Sequence, residues 1–396
     1  MNILFINATY GIGSTGTIIK NMCSFLSKNG HNCFIACQKS SVKENNVFII
    51  GNVIDWKLHA IQSRLFGDQA FHSTLSTRKI KRIIKNNNIN IVNIHNIHSN
   101  FINYHSLLKI IHDLNVPVVL TLHDCWFFTG KCFHYIDANC NKFKGVCSKC
   151  PKLKQSPVSF FFDRTKSLQA KKRKDYEKIK KMHVVGCSDW ISAESKQSIL
   201  SCAKNIITIR NGIDTTVFNY EPNNLKESKK VRVLGMANKF RLPKNAELVE
   251  KLFNDDMFDF TICGCSGEDY KYFSSFSNKP NLLPVIKQPT ALKDIYSNVD
   301  VFLNLTFADT FPTVNLEAIC CGTPVVVFNR GGASEIITDD CGRIVSKDDY
   351  DELKKHIFDA SKIDKRKCAE FGKMNFDESI SYKKYLEFFT EIVEDR

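Results

Sequence analysis

The sequence has no run of about 18 apolar residues, so no membrane-crossing helix is expected. Its first residues, MNILFINATYGIG, place no basic segment before the apolar run. They read as a first strand and its turn rather than a signal peptide, which makes the cytoplasm the expected location. Acidic residues are in deficit, 41 against 55 Lys and Arg, giving a net charge of +14. Asp-x-Asp occurs once, at Asp349-Tyr-Asp351, where a helix starts rather than a strand ends. Paired C-x2-C knuckles are missing, and aromatic and basic residues do not interleave along any strand. Both absences count against nucleic-acid binding.

A length of 396 residues with 43% apolar content allows two domains of ordinary size. The basic residues cluster at 79–85 (KIKRIIK) and 171–181 (KKRKDYEKIKK). Such clusters suit an anionic partner, a lipid surface or a nucleic acid. For the second, a solvated helix face pairing Glu177 with Lys181 explains the pattern equally well. The 16 cysteines are mostly scattered through apolar segments, as in buried thiols of a reducing compartment.

Residues 298–335 (NVDVFLNLTFADTFPTVNLEAICCGTPVVVFNRGGASE) organise the chain. The apolar run 299–305 and TPVVVF at 323–328 are strands buried on both faces of a parallel sheet. Helix formers at 313–321 end at Gly322, and NRGG at 329–332 reads as a turn into another helix with Glu335 in its first turn. In such units ligands sit at the carboxyl ends of strands and the amino ends of helices. Asp309, Thr313, Glu317, Gly331 and Gly332 all fall there. Similar strands recur at 2–7, 31–37, 89–95, 117–123, 184–187, 230–237 and 259–264. The fold class is therefore α/β with parallel sheets.

The first turn, TYGIGSTG, fits G-x-G-x-x-G at Gly11, Gly13 and Gly16. No acid ends the following strand, where a dinucleotide ribose would need one, and an ordinary tight turn explains the glycines equally well. Strands at 89–95 and 117–123 each end in histidine, His95 and His123. Asp124 follows the second.

The motif D-x-F-P-T-x-x-L-E-A-x-x-x-G-T-P-V, from Asp309 to Val325, resembles the signature of retaining glycosyltransferases of family 4. The segment 210–218 (RNGIDTTVF) resembles that family's interdomain hinge. The resemblance implies a GT-B fold, two Rossmann-like domains facing each other across a cleft. Its implied boundaries are an acceptor-side domain 1–206, a hinge 207–222, a nucleotide-sugar domain 223–377, and a helix 378–396 crossing back to the first domain. It also implies transfer of a hexose-type sugar from a nucleoside diphosphate sugar to a lipid-linked or oligosaccharide acceptor, with retention.

The site residues follow from the same resemblance. Asp309 orients the donor sugar; the family usually has Glu there, so the reach is one methylene shorter. Glu317 takes the nucleotide ribose, and His123 the sugar and its phosphate. Lys239 and Lys244 hold the diphosphate together with the amides of Thr313 and Val314; Arg241 competes for that role, and surface lysines are the alternative. Gly13, Ser14, Thr15 and Gly16 close over the donor diphosphate and the acceptor side, and His95 and His98 are candidates for the acceptor cleft. Metal-dependent transferases of the other common fold need Asp-x-Asp at a strand end, so no cofactor is expected for catalysis. The abundance of Asn, Ile and Lys is associated with a low-GC bacterial gene, and surface polysaccharide assembly is the family's commonest setting there.

Two segments lie outside the motifs. Residues 125–150 hold Cys125, Cys132, Cys140, Cys147 and Cys150, the last four spaced C-x7-C-x6-C-x2-C. With few periodic apolar residues, the segment reads as a loop stapled by structural zinc on Cys132, Cys140, Cys147 and Cys150. His134 is a substitute ligand, and free thiols or one disulfide are the alternative. PVSFFF at 157–162 then precedes a basic helix expected over 163–181. Exposed phenylalanines beside lysines suit an anionic membrane, hence a peripheral location on its inner face; packing beneath the helix is the alternative. Two further classes compete with the transferase: a sugar-nucleotide binder without catalysis, and a zinc-containing nucleic-acid binder.

Overall fold

The protein is described by a computed structural model covering residues 1–222 and 228–395. The sequence-predicted linker 219–230 therefore lies partly outside the described residues. The chain divides into two compact units, Met1–Arg210 with Ser381–Arg396, and Asn211–Ile380. The sheet of the first unit is wholly parallel. Its strands are β1 (Asn2–Tyr10), β2 (Asn32–Ser40), β3 (Val47–Ile49), β4 (Ile91–Ile94), β5 (Val118–Leu122), β6 (Met182–Gly186) and β7 (Asn205–Thr208). Their order is β3-β2-β1-β4-β5-β6-β7. Every residue of β4 and β5 is buried, as expected of strands covered by helices on both faces.

The second unit repeats the plan with β8 (Val231–Met236), β9 (Phe258–Cys265), β10 (Asn281–Pro284), β11 (Val301–Asn304), β12 (Val325–Phe328) and β13 (Gly342–Val345). The order is β10-β9-β8-β11-β12-β13, again parallel. In each sheet the order reverses beside the first strand, between β1 and β4 and between β8 and β11. Connections leave to opposite faces there, which opens a crevice at the carboxyl ends of the strands.

The C-terminal helix Glu378–Glu394 buries Tyr382, Tyr385, Phe388, Phe389 and Ile392. These join Phe5, Ile35, Val119 and Val185 in one core cluster. Each such side chain contributes roughly 1.5–3 kcal/mol by leaving water, which ties the helix to the first unit. Residues 211–218 belong to the second unit: Ile213 bridges to Asp377 as a strand would.

The sequence reading needs four corrections. The basic helix runs only over Thr165–Tyr176, so Glu177 and Lys181 are not paired on a helix. Lys172 of that helix is fully buried. NRGG leads into a short 3-10 turn, Ser334–Ile336, not a helix. The cysteine-rich loop has its own aromatic core. Trp126, Phe127, Phe128 and Phe143 are buried, and Phe143 packs 5.2 Å from Phe128 and 4.4 Å from Tyr135 between ring centres.

Asp349 caps the helix Tyr350–Ser361, accepting from Glu352 N–H at 3.0 Å, which accounts for its acid triplet. Among the described residues no helix is long and apolar enough to cross a membrane.

Candidate active site

At the reversal point of the second sheet, β8 and β11 lie side by side and their loops meet. The loop after β8 carries Lys239 on a short helix, Ala237–Phe240, and Lys244 in a 3-10 turn, Pro243–Asn245. Asn245 is fully buried and its amide donates to the carbonyls of Lys239 (2.7 Å) and Leu305 (2.9 Å). One side chain thus pins the two loops together. Lys239 Nζ donates to Thr306 Oγ1 at 3.2 Å and stands 3.7 Å from Asp309 Oδ2. Beneath them Phe307 is buried, with Lys244 Nζ 5.5 Å and the Arg330 guanidinium 4.6 Å from its ring centre.

The sequence reading missed Arg330. It occupies the turn after β12, which neighbours β11, and its only sequence signal was a cation before the Gly-Gly of that turn. Arg241, in contrast, is taken by Asp269 (2.8 Å) and Glu268 (3.4 Å) and is a poor phosphate ligand.

The acidic partner lies on the helix Thr313–Cys320, which opens with the amides of Thr313 and Val314 and has no acidic side chain in its first turn. Asn304 of β11 donates to Asn315 at 2.8 Å and fixes the helix on the strand. Glu317 accepts from the hydroxyl of fully buried Tyr296 at 3.1 Å. Burial pushes its carboxyl up to about 7, against the hydrogen bonds from Tyr296 and Thr313. Thr323, of the G-T-P segment, donates to the Tyr296 carbonyl at 2.7 Å and holds that tyrosine in place. Asp309 is fixed through its main chain, whose carbonyl accepts from Gly332 N–H at 3.0 Å.

The edge of the first sheet is built likewise. After β1, Gly11 and Gly13 take left-handed backbone angles (φ +66° and +68°). A side chain on Gly16 would come within 2.8 Å of Thr9 Oγ1, so the helix Gly13–Lys28 can start against β1 only with glycine there. Ser14 and Thr15 fall in its first turn. Next to this turn, the ends of β4 and β5 bring His95 and His123 together, Nδ1 to Nε2, at 2.8 Å. His95 Nε2 meets Asn93 Oδ1 at 2.6 Å, while the Asn93 amide donates to Val119 O and Thr121 Oγ1. Asn93 Oδ1 is therefore an acceptor, His95 donates to it, and His123 must donate from Nε2 to His95.

Burial lowers both imidazoles, His123 to about 4 despite the opposing charge of Asp124. His123 is expected to stay neutral from pH 5 to 8, so its ring carbon NMR shifts should be flat across that range. A titration near pH 6.5 would contradict the tautomer chain. Asp124 and His98 form a separate pair at 2.7 Å, and Asp124 also accepts from Trp126 N–H at 2.8 Å. His98 is thus committed to holding the loop.

The profile described as Glycosyltransferase Family 4 matches residues 15–217, more than half of the chain. The chain belongs to glycosyltransferase family 4. A second profile, Glycosyl transferases group 1, matches residues 218–375. WcaC of Escherichia coli (strain K12), provisionally named a colanic acid biosynthesis glycosyl transferase, is 26% identical over 264 residues. That match spans 61% of this chain and only 59% of WcaC. Among solved structures, sucrose-phosphate synthase from Thermosynechococcus elongatus aligns over 100% of both chains with a TM-score of 0.69 at 12% identity. Anabaena HepE in complex with UDP aligns over 99% of this chain and 100% of its own, with a TM-score of 0.64 at 13% identity. These likenesses give the family 4 chain two Rossmann-like α/β domains of the GT-B class.

Proposed function

We propose that the protein transfers a hexose-type sugar from a nucleoside diphosphate sugar to a lipid-linked glycan, with retention, in bacterial surface polysaccharide biosynthesis. The observation that carries this reading is the cluster of Lys244 and Arg330 over Phe307 with Lys239 beside Asp309, followed along the chain by the helix that holds the raised carboxyl of Glu317. The cations suit a diphosphate, and the acids suit sugar and ribose hydroxyls. HepE is solved in complex with UDP and WcaC is named for colanic acid biosynthesis, which supports the same class of donor and setting.

In the reaction the bond from the anomeric carbon to the leaving phosphate oxygen breaks, leaving an oxocarbenium-like centre. Lys239, Lys244 and the amides of Thr313 and Val314 stabilise the growing diphosphate charge. Asp309 orients the sugar hydroxyls and Glu317 accepts from the ribose. The acceptor hydroxyl adds on the face the phosphate leaves, and its proton passes to that phosphate. No step requires a metal ion.

The test is a panel of sugar nucleotides, assayed for diphosphate release. One donor should be hydrolysed slowly, faster with acceptor, and not by Glu317→Ala. Tight donor binding with no turnover on any lipid-linked acceptor would instead make the protein a binder without catalysis.

Association with an anionic membrane is the second part of the reading. Ile54, Leu58 and Ile61 form an exposed stripe on the helix Val53–Phe66, at 71%, 54% and 53% exposure. The exposed Phe161 lies in the neighbouring segment, where Phe162 stacks on Phe66 beneath Arg164. Apolar side chains rimmed by cations suit an interface with acidic lipid. Flotation with vesicles rich in phosphatidylglycerol should recover the protein. Ile54→Ser with Phe161→Ser should leave it in the soluble fraction, and unchanged flotation would remove this surface from the reading.

A further inference from the structure

Two buried lysines belong to the cysteine-rich loop of the first unit and to the helix Thr165–Tyr176 packed on it. Lys131 is 5% exposed, and its Nζ donates to the carbonyls of Lys152 (2.9 Å), Leu153 (2.9 Å) and Gln155 (3.2 Å). Lys172 is fully buried; its Nζ donates to the carbonyls of Trp126 (2.6 Å) and Thr129 (3.2 Å) and lies 3.4 Å from the Trp126 ring centre. Neither enters an ion pair among the described residues. Burying an ammonium among neutral groups costs several kcal/mol, so a nearby anion would stabilise each of them. Asp124 and Asp163 are charged neighbours but not contacts, and Asp124 is already held by His98. The remaining neighbours are thiols: Cys132 and Cys150 near Lys131, Cys132 and Cys147 near Lys172.

The thiols have their own geometry. Cys132 Sγ and Cys150 Sγ are 3.8 Å apart, far beyond a disulfide bond. The same separation, about 3.8 Å, is the edge of a tetrahedron with metal–sulfur bonds of about 2.3 Å. Cys147 accepts a hydrogen bond from Gly130 N–H at 3.3 Å, the kind of contact that steadies a thiolate. Cys140 and Cys150 are both close electrostatic neighbours of Cys147. As placed, no three ligand groups among the described residues stand close enough to hold an ion. Binding therefore requires Cys140 and Cys147 to turn toward the Cys132–Cys150 pair.

We propose that Cys132, Cys140, Cys147 and Cys150 bind one zinc ion as thiolates, and that Lys131 and Lys172 are its counter-charges. Binding releases four protons. A divalent ion with four thiolates carries two negative charges, which the two ammoniums balance. The site is structural, because four protein ligands leave no open position. It clips the ends of a loop whose aromatic residues already pack, and it does not depend on the transfer reaction.

The test uses the full chain purified under reducing conditions without chelator. Elemental analysis should give about one zinc per chain. Cobalt(II) added to apoprotein should produce thiolate-to-cobalt charge-transfer bands and the intense visible bands of a tetrahedral site. Cys132→Ser and Cys150→Ser should abolish both, whereas Cys202→Ser, altering an exposed cysteine outside the loop, should not. Lys172→Met should weaken cobalt affinity about tenfold to a hundredfold. Should the serine variants fail to fold, the cobalt spectrum of the unaltered protein still decides. Absence of charge-transfer bands there, or a Cys132–Cys150 disulfide in the freshly purified protein, overturns the proposal.

Discussion

Lys244→Ala should lower kcat/KM for donor turnover about a hundredfold to a thousandfold, the usual consequence of removing one preorganised group from a developing oxyanion. The lysine is exposed, sits in a 3-10 turn and has the Phe307 face beneath it, so its loss should leave the fold intact. Lys244→Arg keeps the charge and should recover part of the loss. Lys239→Ala should be as severe for a further reason: its ammonium stands between Thr306 and Asp309, and removing it leaves Asp309 without its cation. Arg241→Ala is the discriminating control. Its guanidinium is committed to Asp269 and Glu268, so turnover should change only a few-fold. Steady-state kinetics of the four variants with one donor checks all of this. Equal losses for Arg241→Ala and Lys244→Ala would mean that the phosphate site has been misplaced.

Glu317→Gln should make the protein more stable above pH 7 and a weaker binder of its donor. The carboxyl titrates near its ordinary 4.5 when unfolded and at about 7 when folded. Below pH 4.5 it is protonated in both states and contributes nothing. Between the two values the folded state keeps a proton that the unfolded chain loses, so stability falls as pH rises. Above pH 7 the penalty is complete and amounts to at most about 3 kcal/mol. Glutamine never ionises and escapes it, while still accepting from Tyr296. The variant should therefore melt several degrees higher at pH 8, and the difference should vanish below about pH 4.5.

Donor binding moves the other way. A charged carboxylate accepting from ribose hydroxyls is worth about 1.5–3 kcal/mol, so affinity should drop about tenfold to a hundredfold. Donor binding by the unaltered protein should itself weaken as pH falls through 7. Thermal unfolding at pH 5 and 8, combined with donor titration, measures both arms. A variant less stable at pH 8 would show that the folded protein holds Glu317 ionised.

Much of this was legible in the sequence because buried parallel strands announce themselves as short apolar runs. VVVF and VVLTL could hardly be anything else, and the residues just beyond them had to lie at the ligand-binding edge. Asp309, Glu317 and His123 lie just beyond such runs, whereas Lys239 and Lys244, like the roles of all five, come from the family resemblance. Arg330 escaped because its position over Phe307 depends on β12 lying next to β11, a fact of sheet order rather than local pattern. Arg241 was ambiguous until Asp269, on a separate helix, was seen to hold it. Lys172 looked like part of a solvated basic run; only the aromatic loop folded over it reveals a buried cation. That loop looked coreless because its aromatics follow no period: they pack on the helix Thr165–Tyr176 and on one another. The helix Val53–Phe66 was missed because its apolar residues face outward and blur the helical pattern.

The central claim is that the β8–β11 edge binds a nucleoside diphosphate. Calorimetric titration of the common nucleoside diphosphates, at pH 8 and low salt, tests it most directly. One of them should bind with one site per chain, and Lys239→Ala combined with Lys244→Ala should weaken it at least a hundredfold. Binding that survives the double substitution unchanged, or no binding by any of them, would contradict the account.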